Sequence, residues 1–115
     1  TIPVTAMIDP GPMITNDVAT PTTLSAISCP TYLATTKATV TATVTSAQPL
    51  NTAPVLHRMV SRVEKVDAMA STGGGGYTGV LGPFPTTGTV EWWIVAVDSA
   101  YVTTSSPHQF LTVAC

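Results

Sequence analysis

A chain of 115 residues, 44% of them hydrophobic and 9% charged, with a formal net charge of −2, has the size of one ordinary domain and enough apolar surface to build a core. So weak a charge leaves no electrostatic footprint for nucleic acid or for an anionic membrane surface. The longest apolar run, Trp92 through Val97, is far short of the ~20 residues of a membrane-spanning helix. Long helices are excluded as well: 10 prolines and 8 glycines punctuate a sequence rich in Thr and Val, which are stiff at χ1 and favour the pleated surface of a strand.

Residues 1–22 carry Pro3, Pro10, Gly11, Pro12 and Pro21 with little periodicity. They read as a linker or the tail of a preceding domain, partly extended along a domain spanning 23–115. Opening on Thr1 rather than Met, the chain is expected to be a fragment or a processed form. Seven strand-like segments follow. Thr23–Cys29 ends at Pro30. Lys37–Ser46 has the cleanest alternation: Val40, Ala42 and Val44 face one way and Thr39, Thr41, Thr43 and Thr45 the other, one buried face and one wet. Gln48–Asn51 is a turn. Pro54–Val63 and Glu64–Ala70 are the third and fourth strands, and Gly73–Gly76 forms a loop. Tyr77–Leu81 is the fifth, ended by Gly82-Pro83 and Pro85. Thr89–Val97 is the sixth and most hydrophobic, followed by a turn at Asp98-Ser99-Ala100. Gln109–Ala114 is the seventh. Short strands at this spacing, with Gly and Pro between them, predict an all-β sandwich or small barrel.

The stretch Tyr77-Thr-Gly-Val-Leu-Gly-Pro-Phe-Pro-Thr-Thr-Gly-Thr-Val-Glu-Trp-Trp-Ile-Val-Ala-Val-Asp-Ser-Ala100 resembles bacterial immunoglobulin-like and fibronectin type III-like modules. The match is to the region where their fifth strand runs through a Gly-containing loop into the sixth. The Thr/Val strand from Lys37 to Ser46 resembles their second strand. The pattern extends over Thr23–Cys115, with motif detail only in the last third. One departure falls after Asp98, where Tyr101-Val102 stand in place of the family's Gly-Asn. The resemblance implies an immunoglobulin-like antiparallel β-sandwich of about seven strands. It also implies a module of a secreted or surface-anchored protein, and no shared activity.

In such sandwiches the first and last strands can run parallel and adjacent. A disulfide between Cys29 and Cys115 is therefore expected, closing a loop worth up to ~4–5 kcal/mol in the chain-entropy model; two unrelated thiols in a reducing compartment are the alternative. Trp92 and Trp93 must point to opposite faces of their strand. Trp92 aligns with Val90, Ile94 and Ala96 in the core, and Trp93 with Glu91 on the outer face. An outward Trp93, helped by Glu91 and Tyr77, would make a stacking platform for a sugar ring. Cover by a loop, the N-terminal segment or a neighbouring strand's long side chain is the favoured alternative, since large exposed apolar patches are uncommon. Arg58 and Arg62, of like parity, are expected on one solvated sheet face.

Catalytic signatures are sparse. There are 2 histidines, His57 and His108, and 6 scattered carboxylates, with no metal-ligand spacing, no G-x-S-x-G elbow and no Lys-Ser/Thr after the glycines to make a phosphate loop. Asp98 suits a turn cap better than a calcium ligand. The expectation is a non-catalytic extracytoplasmic spacer, adhesion or protein-interaction module within a larger secreted or surface-anchored protein. It would need no cofactor, and its partners would be neighbouring domains of the same chain or a surface protein. The alternative is a polysaccharide-binding accessory domain of a secreted hydrolase.

Overall fold

The computed structural model describes residues 11–28, 36–60 and 62–114, and there the chain is all-β, two packed sheets with no helix. Its ten strands in chain order are β1 (Met13–Thr20), β2 (Thr23–Ser25), β3 (Ala38–Thr45), β4 (Val55–Val60), β5 (Val63–Ala68), β6 (Ala70–Gly73), β7 (Gly76–Leu81), β8 (Gly88–Val97), β9 (Thr103–Ser105) and β10 (Gln109–Ala114). One sheet has the order β1-β3-β7-β6. The other has the order β2-β10-β8-β4-β5, with β9 also paired to β8. All pairs are antiparallel except β2 with β10, which run parallel.

The alternation of β3 is realised residue by residue: Ala38, Val40, Ala42 and Val44 are buried, and Thr39, Thr41 and Thr45 are exposed. Opposite them the second sheet contributes Leu24, Leu56, Val90, Trp92, Ile94, Leu111 and Val113, all at most 3% exposed. Burial of this kind is worth roughly 1.5–3 kcal/mol per large aliphatic side chain relative to exposure, and it is what joins the layers. At Gly79 the sheets come close: a Cβ there would lie 3.0 Å from Leu56 Cδ2.

The structure departs from the sequence reading in its count, ten strands where seven are expected. The additional three are β1, β6 and β9. Residues 13–20 of the expected linker form β1, an eight-residue edge strand in register with β3 from Met13↔Thr45 to Thr20↔Thr39. Its alternation is broken because the register shifts between Thr15 and Val18, where Asn16 takes a φ of 55°. Ile14 before the bulge and Ala19 after it therefore both lie opposite inward residues, Val44 and Val40, although their parity differs. Upstream, Gly11 packs against Val102, whose Cγ1 a Cβ would approach to 2.8 Å. Residue 11 and the β1 strand thus pack with the strands that follow Thr23.

After β8 the chain turns at Asp98, which is fully buried. Its Oδ1 accepts hydrogen bonds from the backbone N–H of Ala100 (2.9 Å) and of Val102 (3.0 Å), the turn-capping role its position suggests. Tyr101, in the same turn, adopts φ 64°. A left-handed conformation is held here by a residue type other than the glycine that takes it most easily.

Candidate functional site

Among the described residues, the outer face of the six-stranded sheet brings together Trp93, both histidines, Glu64 and Glu91. Register fixes the arrangement. Trp93 on β8 lies opposite His57 on β4, and the pairing of Trp92 with Gln109 puts His108, just before β10, beside Trp93 on its other side. Side chains of directly opposed residues share a face. The result is one cross-strand row, His57–Trp93–His108.

The three rings are stacked. The His57 and Trp93 centroids are 5.3 Å apart with planes inclined by 18°, and those of Trp93 and His108 are 4.1 Å apart and inclined by 5°. Each imidazole is held by a carboxylate: His57 Nδ1 lies 3.3 Å from Glu64 Oε1, and His108 Nδ1 lies 2.9 Å from Glu91 Oε2. Glu91 sits two residues before Trp93 on the same face, and Glu64 comes from β5 at the sheet edge.

Trp93 is outward-facing yet only 8% exposed. Both broad faces of its indole are taken by imidazoles, so the cover comes from neighbouring strands. A sugar-stacking platform requires one open ring face, and this row offers only the indole edge. Of the residues grouped with Trp93 in the sequence reading, Glu91 shares its surface. Tyr77 does not: it lies on β7 in the other sheet, opposite the inward Ala42, and packs partly buried against the core. His57 and His108 are the residues that sequence reasoning left out. Period-two parity places His57 on the outer face only once its register with Trp93 is known.

The basic residues divide. Arg58 lies on β4 opposite Trp92 and Lys65, so it shares the face of the buried Trp92, and is ion-paired with Asp67. Arg62 does not share its face, because β4 ends at Val60 and Arg62 sits in the turn at φ 67°. Arg58 and Lys65 line, with Val60, Val63, Pro83, Phe84 and Pro85, an open pocket of ≈ 230 Å³.

Chemically, the outer row holds two imidazole–carboxylate pairs on opposite faces of one indole. Such a pair can orient an imidazole, but catalysis also needs a reacting group aimed at it. Among the described residues no group of three or more His, Cys, Asp or Glu is placed to hold a metal ion. The expected pairing of Cys29 with Cys115 falls on residues outside the described ones. No protein-family model matches the chain, and no curated protein matches it either.

Proposed function

We propose that the chain is a non-catalytic, extracytoplasmic immunoglobulin-like module that serves as a spacer, adhesion or protein-interaction domain in a larger secreted or surface-anchored protein. The strand order supports the fold assignment. β1, β3, β7 and β6 correspond to strands A, B, E and D of that fold, and β10, β8, β4 and β5 to G, F, C and C′, with β2 as the second half of strand A.

The observation that carries the spacer reading is the parallel pairing of β2 with β10, Thr23↔Thr112 to Ser25↔Ala114. These strands lie near the two ends of the sequence. Tension between neighbouring domains therefore loads their hydrogen bonds together, in shear, instead of peeling them one at a time. Thr112 N–H donates to Thr22 O (3.1 Å), and Ala26 N–H donates to Ala114 O (3.3 Å). The disulfide between Cys29 and Cys115 belongs to the same reading, since it would staple the same two strands.

Single-molecule pulling on the reduced chain held between handle domains tests the proposal. Thr112→Pro removes an N–H that points at β2, so the β8 pairing keeps its ladder. A marked fall in unfolding force with unchanged circular dichroism supports the load-bearing role. A low unfolding force in the wild type that the substitution does not change counts against it.

A further inference from the structure

We propose that two copies of this chain associate through β5, antiparallel and related by a two-fold axis at Val66. The inference stands apart from the spacer reading, because it uses only the edge that β5 forms, among the described residues, on the six-stranded sheet.

β5 is the last strand of its sheet, and all six of its residues are exposed. The direction of its backbone groups follows from its pairing with β4. Met69 N–H donates to Pro54 O at 2.9 Å, and the register runs on from Val55↔Ala68 to Val60↔Val63. Hydrogen-bonded pairs alternate along an antiparallel ladder. Pro54↔Met69 is one such pair, so Leu56↔Asp67, Arg58↔Lys65 and Val60↔Val63 are the others. The N–H and C=O groups of Glu64, Val66 and Ala68 then point away from β4, along the open edge. A second β5 centred on Val66 meets them in phase: Val66 pairs with Val66 of the second copy, and Glu64 with its Ala68.

The side chains select this register. With the axis at Val66, Lys65 lies opposite Asp67 of the other copy, and Asp67 opposite its Lys65. Both are non-hydrogen-bonded pairs, where facing side chains are closest. A two-fold axis at Glu64, Lys65 or Asp67 would set a like charge against itself. Within the monomer, Lys65 faces the like-charged Arg58 directly across the ladder, and Asp67 is ion-paired with Arg58. The second copy brings a carboxylate to Lys65. Charged residues on an edge strand ordinarily guard it against pairing; here the guard is self-complementary and admits one register. A net charge of −2 adds little repulsion between copies.

The test is sedimentation velocity on the 115-residue chain over a rising concentration series at low salt, with three sets of variants. The wild type is expected to shift reversibly from monomer to dimer. Lys65→Asp alone and Asp67→Lys alone should remain monomeric, an equimolar mixture of those two variants should dimerise, and the double exchange Lys65→Asp/Asp67→Lys should regain the wild-type shift. Val66→Pro deletes an N–H on the open side only, so it should abolish the dimer while leaving circular dichroism and thermal midpoint near wild type. A wild type that stays monomeric at every concentration overturns the proposal. So does a dimer that survives Val66→Pro, or single variants that fail to complement each other in the mixture although each is folded.

Discussion

Trp93 and His108 stack with their ring centroids 4.1 Å apart and their planes 5° from parallel, while His57 covers the opposite face of the same indole at 5.3 Å. The largest side chain on an outer sheet surface is thereby turned into a packing element. Aromatic pairs of this kind contribute ~0.5–1.5 kcal/mol beyond the area they bury. Trp93→Ala should cost ~3 kcal/mol, at the low end for a large aromatic because water can fill the outer-face site. Urea denaturation gives the value. The wild-type emission should be poorly quenched by acrylamide and unmoved by soluble polysaccharides. A saturable polysaccharide-induced shift that disappears in Trp93→Ala would instead restore the sugar-platform reading.

Ser106 replaces a strand partner with a side chain. Its Oγ accepts the Ile94 N–H at 2.8 Å and its own N–H donates to Ile94 O at 2.8 Å, both at a site where Ser106 is 4% exposed. The ladder beside β8 changes hands here from β9 to β10. Ser106→Ala keeps the backbone bond and strands the Ile94 N–H, a loss of about 1–3 kcal/mol. The protection of the Ile94 amide against hydrogen exchange should fall with it. Unchanged stability would mean that water reaches this N–H and replaces the hydroxyl.

The sandwich was legible wherever side-chain period and backbone period agree. β3 alternates Thr and small apolar residues without interruption, and β8 combines alternation with bulk, so both were placed within a residue or two. β1 was not legible, because its bulge at Asn16 and Asp17 shifts the parity of everything after it. Its anchor is a long-range hydrogen bond: Gln109 Nε2 donates to the Asp17 carbonyl (2.9 Å) and to its Oδ2 (2.6 Å). β6 and β9, four and three residues long, carry too little pattern to mark a strand. The outer-face site was half legible. Trp93 and Glu91 share a strand and a parity, whereas His57 and His108 reach them only through registers with two other strands, which depend on the whole sheet.

Tyr101 should be a site of recoverable stability. It holds φ 64° and is 75% exposed, so it bears the cost of a left-handed backbone with little packing in return. A non-glycine residue there costs ~1–2 kcal/mol, partly offset by the chain entropy glycine loses on folding. Tyr101→Gly is therefore expected to gain about 0.5–1 kcal/mol, and Tyr101→Val to lose a comparable amount because branching at Cβ worsens the same clash. Thermal midpoints of the two variants should move in opposite directions. Equal shifts of the same sign would show that the tyrosine ring, and not the backbone conformation, decides the energy of this turn.

The proposed Cys29–Cys115 bond is open to a direct measurement. β2 and β10 run parallel, and their last described contact, from Ala26 N–H to Ala114 O, is 3.3 Å long. Cys29 follows three residues after the first of these and Cys115 one residue after the second. A bond joining them would close a loop of nearly the whole domain, worth up to ~4–5 kcal/mol through the unfolded state. Protein recovered from an oxidising compartment and denatured should take up no alkylating reagent until it is reduced, and then two equivalents by intact mass. Reduction should also lower the urea midpoint, and Cys29→Ser/Cys115→Ser should reproduce that loss. Two equivalents taken up without reductant would place both thiols in the free state, leaving the β2–β10 hydrogen bonds to hold the end of the sandwich unaided.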